Sequence, residues 1–395
     1  MREAIRRVLI VGAGHSGGAH ALALRELGFV GSITLVGHEA HAPYERPSLS
    51  KGILQGEERP LPLAEPWRWA EAFDLRLSTL ATAIDRVARE VTLCDGRRLP
   101  YDALVLATGG RPRSLSVPCA AAVHRLSTLD EARELRGRMV GARSVIVIGG
   151  GVIGLEVAAS LRAAGLSTTV LEAGPRLLGR NVPPDAAEWI AALHAQEGVA
   201  IRTGVAIRAV EGDEGGVTVR LEGGEVLEAD LAVLGIGILP RTELAEAAGL
   251  PCRDGVLVDA GYASIDDPHV FAIGDVASRE GVGRQETWFH AGGSARAAAR
   301  ALLGLPPEPA DVPWFWSDQF GRTLRVAGAP MTADTVVPRG AAFSLHLRYG
   351  RIVGAAGLDS PRDFAIARRL IAAEARLDAG RAAEPGTDLR KAVAA

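Results

Sequence analysis

The chain is poor in thiols and in lysine, carries no large surplus of either charge, and has no long apolar run. Its 395 residues include three cysteines, Cys94, Cys119 and Cys252, far apart and without a C-x-x-C pair, so neither a disulfide framework nor a redox dithiol is indicated. Such usage is expected of an intracellular protein in a reducing setting. Lys+Arg 44 against Asp+Glu 47 leaves a formal net charge of −3, which gives no support to nucleic-acid binding. The longest apolar windows are broken by glycine or by Glu156, and the first core strand is entered by residue 8, which leaves no room for a signal peptide. The expectation is a soluble, cytoplasmic protein that contacts no membrane and holds no metal.

Lysine occurs only at Lys51 and Lys391. Where arginine is the default cation, a lysine in HAPYERPSLSK (41–51) suggests a site that wants a compact point charge with a tunable pKa; the plain alternative is an exposed loop lysine. Trp67, Trp69 and Phe73, just beyond, read as helix packing.

Hydrophobic residues make up 48% of the chain, ample for packed cores, and the length suggests two or three domains. Glycine is plentiful and regularly placed. An apolar run, Val8 to Val11, leads into Gly12, Gly14 and Gly17 in GxGxxG spacing. A helical composition follows over Ala19 to Leu27, closed by Gly28, then a second buried strand, Ile33 to Val36, with an acid at Glu39. In this arrangement one glycine makes the tight turn, one lets backbone approach a pyrophosphate, and one lets helix and strand pack closely. The helix N-terminus then offers free N–H groups and its positive dipole end to the phosphates.

The pattern recurs from Ser144. Gly149, Gly151 and Gly154 repeat the spacing, with Val152 and Ile153 between the last two, Gly165 ends the helix, and Glu172 stands at the end of the second strand. An acid there accepts from both ribose hydroxyls and repels a 2′-phosphate, which favours NADH, with Arg176 close enough to keep NADPH open. Two such units imply two dinucleotides.

Other strand ends are closed by small residues. Ala103 to Ala107 runs into Thr108 and Gly109, where backbone can lie against a flat ligand, and Gly235 and Gly237 repeat the pattern. Asp275 follows a buried strand and Gly274, within reach of a sugar-like hydroxyl chain or as a helix N-cap. Val91 to Leu93 and Leu99 flank Asp95-Gly96 as a hairpin. Ala200 to Leu234 reads as strands and hairpins with glycine turns at 212–216 and 223–224. Leu305-Pro-Pro-Glu-Pro reads as a linker into an antiparallel sheet and a helix from Phe364 to Leu377.

The strings VGAGHSG, RPSLSK, LATGGRPR, VIGGGVIGLEVAA, GIGILP, FAIGDVA, RQETW and PWFWSDQFG cover nearly the whole chain. In that order they resemble the FAD-dependent NAD(P)H:ferredoxin reductases of Rieske oxygenase and bacterial cytochrome P450 systems, of the putidaredoxin reductase and biphenyl dioxygenase reductase type. The resemblance implies an α/β chain with two Rossmann-like, glutathione-reductase-like domains, for FAD and NAD, plus a C-terminal α+β domain. FAD would occupy 1–111 and 240–308, NAD 112–239, and the interface domain 312–395. FAD would lie on Gly12 to Gly17, with Ser16 facing the pyrophosphate and Arg46 and Lys51 at the flavin and phosphates. Ala83 would meet the adenine, Ala107, Thr108 and Gly109 the ligand-facing strand end, and Gly274 and Asp275 the ribityl chain. Glu286, Thr287 and Trp288 would bring the indole to the isoalloxazine edge. NADH would sit on Gly149 to Gly154, with Glu172 on its ribose, Glu156 close to the nicotinamide and Gly237 at the second strand end. Lys51 and Glu156 are the expected catalytic pair, as an ion pair beside the flavin. Trp316, Asp318 and Gln319 would close the flavin pocket.

Three positions depart from the family pattern. His38 replaces the first of two acids, so His38 or Glu39 must bind the FAD ribose. Ser127 stands where an arginine is common, and Gly292, Gly293 and Ser294 replace a polar helix start. NADH delivers two electrons and a [2Fe–2S] ferredoxin accepts one at a time, so a flavin must stand between them. Arg279, Arg284, Arg296 and Arg322 could face an acidic ferredoxin. A disulfide or peroxide reductase would need a cysteine near Lys51, where the chain has His41, Ala42 and Ser48. A redox-sensing flavoprotein of the apoptosis-inducing-factor type shares several motifs but typically carries targeting and basic regions.

Overall fold

The computed structural model describes residues 5–120, 122–180, 182–213 and 215–394. The chain divides into two compact units, one of Met1–Ser48, Arg59–Arg111 and Ile238–Pro309, the other of Leu49–Glu58, Pro112–Gly237 and Ala310–Ala395.

The first unit is built on a parallel sheet in the order Val270–Ala272, Ala103–Leu106, Arg7–Val11, Ser32–Val36, Asp74–Arg76. Val8–Val11 and Ala103–Leu106 read as unbroken apolar runs, and Ile33, Leu35 and Val36 of the next strand are buried, because both faces of such a sheet are covered. The helix after the first strand spans His15–Glu26, four residues ahead of the stretch with helical composition. Propensity does not explain that start, since the first turn is His-Ser-Gly-Gly. Packing does: a Cβ on Gly17 would stand 1.9 Å from the Gly12 carbonyl oxygen, so only glycine lets the helix lie this close to its strand. Gly28 closes the helix at φ +89. The expected hairpin forms between Glu90–Leu93 and Arg98–Pro100. Trp69 is buried against Phe73, but Trp67 is 61% exposed: on the short Pro66–Ala72 helix only one of the two tryptophans can face the core, which corrects the expectation for Trp67.

The second unit repeats the design. Its parallel sheet runs Ala200–Arg202, Ser167–Leu171, Ser144–Ile148, Leu231–Leu234, Val123–His124, with helix Val152–Ala163 after the central strand. An antiparallel trio, Ile207–Asp213, Gly216–Leu221 and Val226–Ala229, follows; Glu214, within the expected turn at 212–216, lies outside the described residues. The C-terminal sheet, Trp314–Gln319, Arg322–Gly328, Arg351–Leu358, Phe343–Arg348 and Thr335–Pro338, is antiparallel, and Phe364, Ala367 and Leu370 of helix Pro361–Ala372 join its core. This helix stops short of Leu377 because Glu374 takes a left-handed φ of 49 and the chain turns back to bridge Arg376 to Arg351 and Leu377 to Val393.

Candidate functional site

In each unit the glycine turn sits at the C-terminal end of the central strand, where strand order reverses and open α/β sheets bind ligands. The outer glycines of both turns serve the protein itself. A Cβ on Gly12 would lie 2.1 Å from the Ala107 carbonyl oxygen, on Gly149 2.4 Å from that of Gly235, and on Gly154 2.1 Å from that of Gly149. The middle glycines are different. Among the described residues, a Cβ on Gly14 would meet only the Arg46 guanidinium at 3.2 Å, and one on Gly151 only the Gly235 carbonyl at 4.0 Å. Nothing among the described residues needs those two to be glycine, whereas a pyrophosphate approaching the backbone does. Both following helices also begin without a side-chain cap and without an acid in the first turn, unlike helix Leu129–Met139 with its Thr128–Glu131 capping box. The N–H groups there are thus left for an anion, and both turns fit a dinucleotide.

Around the first turn, Glu39 is half-buried, with one carboxylate oxygen 2.7 Å from the Arg46 guanidinium and the other accepting the Tyr44 hydroxyl at 2.6 Å. Burial raises its pKa, but Arg46 and the Tyr44 hydrogen bond outweigh this and leave it low. His38 is exposed. Ala83 is exposed in strand Ala81–Asp85. Gly274, at φ +67, lies against the Ser16 hydroxyl, with its N–H donating to Ser294 Oγ at 3.0 Å. Ser294 therefore ties the Gly274 turn to helix Trp288–Leu302, a tether that spacing alone did not suggest. Thr287 caps that helix, Glu286 pairs with Arg284 at 2.6 Å, and the Trp288 ring tilts against His15 at 5.4 Å. Thr108 Oγ1 donates to the Arg241 carbonyl at 2.8 Å, and Gly109 turns at φ +65.

Titration in this unit has a sign that can be tested. Burial, and then repulsion from Glu286, pushes the Asp275 carboxyl up to about 6 against Arg284 and Arg46. Burial lowers His20 and His290 to about 4, and burial with Arg46 does the same to His15. The raised acid stabilises the fold below its unfolded pKa and loses that effect as pH rises through about 6. The lowered histidines stabilise it above 6.5 and lose that as pH falls toward about 4. Three groups outweigh one, each shift amounting to about 3 kcal/mol at most. The FAD-free protein should therefore lose stability steadily between pH 6.5 and 4.5, as urea midpoints at several pH values would show; a midpoint rising on acidification would contradict this balance.

At the second turn Glu172 follows its strand directly and is fixed over the glycines, its two oxygens accepting the N–H groups of Gly150 at 2.7 Å and Gly174 at 2.6 Å. Arg176 turns away onto carbonyl oxygens of Leu177, Leu178 and Gly179. Val152 and Ile153 open the helix, and Ile153 is 48% exposed at its first turn. Gly237, at φ +93, has the Arg180 guanidinium 3.0 Å from where a Cβ would be.

Lys51 and Glu156 are in direct contact, Nζ to Oε2, at 2.6 Å. Glu156 is only 2% exposed. Ser50 Oγ donates to the same oxygen at 2.6 Å and Ser317 Oγ to the other at 2.7 Å. The loop is held on the helix further by Ser160 Oγ donating to the Ser50 carbonyl and Gln55 to Ser160 Oγ. Ser50 and Ser317 escaped the sequence reading because they reach Glu156 from 106 and 161 residues away, which no spacing reports.

Other expectations fare differently. Trp316 Nε1 donates to Asp318 at 3.0 Å, but Gln319 lies on the opposite face of its strand, buried with Ser317, so it does not stand with those two. Ser127 donates both N–H and hydroxyl to Glu131 beside the cap of helix Leu129–Met139. Three of the four arginines expected at a docking face, Arg284, Arg296 and Arg322, already have acidic partners within the fold. Arg284 is buried and pairs with Asp254 and Glu286, Arg296 with Glu26 and Glu308, and Arg322 with Asp359.

The sequence profile of the pyridine nucleotide-disulphide oxidoreductases matches residues 6–295, and that of the reductase C-terminal module matches residues 314–393. The chain is 41% identical to the ferredoxin–NAD(+) reductase component of the anthranilate 1,2-dioxygenase system of Burkholderia cepacia, over 97% of this chain and 98% of that one. Among solved structures it is similar to the ferredoxin reductase for the CYP199A2 system from Rhodopseudomonas palustris, with a TM-score of 0.92 and 37% identity over 98% and 100% of the two chains. The covalent putidaredoxin reductase–putidaredoxin complex matches with a TM-score of 0.92 and 34% identity over 98% of each chain.

Proposed function

We infer, for a chain that belongs to the pyridine nucleotide-disulphide oxidoreductase family, that it is an NADH-dependent ferredoxin reductase passing electrons through FAD, one at a time, to a [2Fe–2S] ferredoxin that serves a Rieske-type oxygenase or cytochrome P450. The observation that carries this reading is the pair of complete glycine turns, each with a middle glycine that its own fold does not require. FAD, when bound, accepts electrons as a pair from NADH and releases them singly. The chain lacks the thiol pair that a disulfide reductase would interpose, having only the scattered Cys94, Cys119 and Cys252. No helix among the described residues is long and apolar enough to cross a membrane; a cytoplasmic location suits a ferredoxin partner.

The roles divide as follows. The FAD-binding domain of 1–111 and 240–308 holds the flavin nucleotide on Gly12 to Gly17 with Ser16 and Arg46, and Asp275 takes the ribityl hydroxyls. Glu39, already oriented by Arg46 and Tyr44, is the better ribose ligand than exposed His38. The NAD-binding domain of 112–239 holds NADH on Gly149 to Gly154, with Glu172 on the adenosine ribose and Glu156 at the nicotinamide end. Glu172→Ala should raise the KM for NADH about 10-fold and narrow the preference over NADPH, the expected loss for hydrogen bonds to a charged acceptor; kcat/KM measured with both nucleotides checks this, and an unchanged ratio would remove Glu172 from the ribose. The function itself is tested by NADH-dependent cytochrome c reduction with and without an added [2Fe–2S] ferredoxin. Reduction that requires the ferredoxin supports the reading; equal rates without it oppose it.

A further inference from the structure

The hydrogen bonds on Glu156 continue beyond it in one direction. An ionised carboxylate only accepts, so Ser317 Oγ must donate to Glu156 Oε1 at 2.7 Å. Its hydroxyl proton is then committed, and Ser317 Oγ can only accept from Gln319 Nε2 at 2.8 Å. That fixes the Gln319 amide with its oxygen toward His194 Nε2, 2.5 Å away, which must therefore carry the ring proton and donate. Burial lowers the pKa of His194 and keeps the ring neutral, with the other nitrogen, Nδ1, buried and without a partner among the described residues. The imidazole is held edge-on to Phe320 at 5.0 Å. Each link therefore has one consistent assignment, set by the charge on Glu156 and anchored at helix Pro184–Gln196.

Glu156 Oε2 is occupied by Lys51 and Ser50, whereas Oε1 accepts, among the described residues, only Ser317 and keeps an acceptor position. Resting on the reading of Glu156 as the nicotinamide-end residue, we propose that Ser317 and Gln319, from the C-terminal module, are positioning residues for hydride delivery: they aim Glu156 Oε1 at the nicotinamide carboxamide, with His194 as their anchor. The C-terminal module thus helps to form the NADH site as well as completing the fold. A misplacement of about 1 Å at a reacting group can cost as much as 100-fold in rate, so loss of one link of this chain has a measurable effect.

The test compares NAD+ with ADP-ribose, which lacks the nicotinamide, as calorimetric ligands of the FAD-loaded protein, together with anaerobic flavin reduction at saturating NADH. Ser317→Ala should weaken NAD+ about 5-fold, leave ADP-ribose unchanged and slow flavin reduction about 10-fold. Ser317→Thr should restore both to within about 2-fold. On a Glu156→Ala background Ser317→Ala should have no further effect, because the chain then has nothing to aim. If Ser317→Ala weakens both ligands equally, or neither, while Glu156→Ala selectively weakens NAD+, the positioning role is overturned and that of Glu156 stands. If Glu156→Ala spares NAD+ as well, the reading of Glu156 fails and the inference with it. Should Ser317→Ala not yield folded protein, Gln319→Leu, one link further from the carboxylate, is carried through the same comparison with the same expected outcomes.

Discussion

Alanine at Gly14 leaves the FAD-free protein within about 1 kcal/mol of the wild type and weakens FAD binding about 100-fold, whereas alanine at Gly12 costs the first unit its fold. The contrast follows from what each Cβ meets. At Gly12 it would press on the Ala107 backbone, 2.1 Å from the carbonyl oxygen, at a φ of +117 that alanine rarely adopts. Neither backbone can retreat without breaking the register of Arg7–Val11 with Ala103–Leu106. At Gly14, φ is −83, which suits alanine, and the single neighbour is the flexible end of Arg46 at 3.2 Å. What the methyl group obstructs there is the approach of a pyrophosphate to the helix N-terminus. Urea unfolding of the FAD-free protein and recovery of flavin fluorescence on dilution separate the two effects. Gly151→Ala should act likewise on the second turn, raising the KM for NADH while FAD content stays normal. A Gly14→Ala protein that holds FAD as tightly as the wild type would mean that the open space serves no ligand.

Lys51→Met should lower stability by about 3 kcal/mol and slow flavin reduction by NADH at least 10-fold, because it strands a carboxylate that is 2% exposed. Ser50 and Ser317 still donate to that carboxylate, but two hydroxyls do not replace a cation at 2.6 Å. Removing the charge as well, in Lys51→Met with Glu156→Leu, should recover most of the stability and none of the rate. Chemical denaturation and stopped-flow flavin reduction on the same proteins give both quantities. If the double variant regains the rate too, the pair is structural and the site at the nicotinamide end must be sought elsewhere.

Much of this was legible in the chain because it is local. Each GxGxxG lies between a strand and a helix that it joins, so spacing carried both the fold and the position of Gly12, Gly14, Gly149 and Gly151. The acid at Glu172 is likewise one step beyond its strand. The helix start at His15 was not legible, since helix propensity points later and only the close approach of Gly17 to Gly12 explains it. Nor was the end at Ala372, where the left-handed Glu374 and a return to Arg351 override a helical composition. The arginines show a related limit: composition counts cations but does not show that Arg284, Arg296 and Arg322 are already paired within the fold. The resemblance groups Gln319 with Trp316 and Asp318, but a strand sends neighbours to opposite faces and buries Gln319 with Ser317. The surroundings of Glu156 depend on segments joined only by folding. The scarcity of lysine singled out Lys51, but nothing in the sequence announced Ser50, Ser317 or His194.

The central claim, that paired electrons enter at one nucleotide site and leave singly from the other cofactor, is tested most directly by stoichiometry. The FAD-loaded protein, mixed without oxygen with limiting NADH and an excess of oxidised [2Fe–2S] ferredoxin, should reduce two ferredoxins for each NADH consumed, and none when FAD has been removed. A purified protein that takes up no FAD, or one that consumes NADH and leaves the ferredoxin oxidised, would contradict the account.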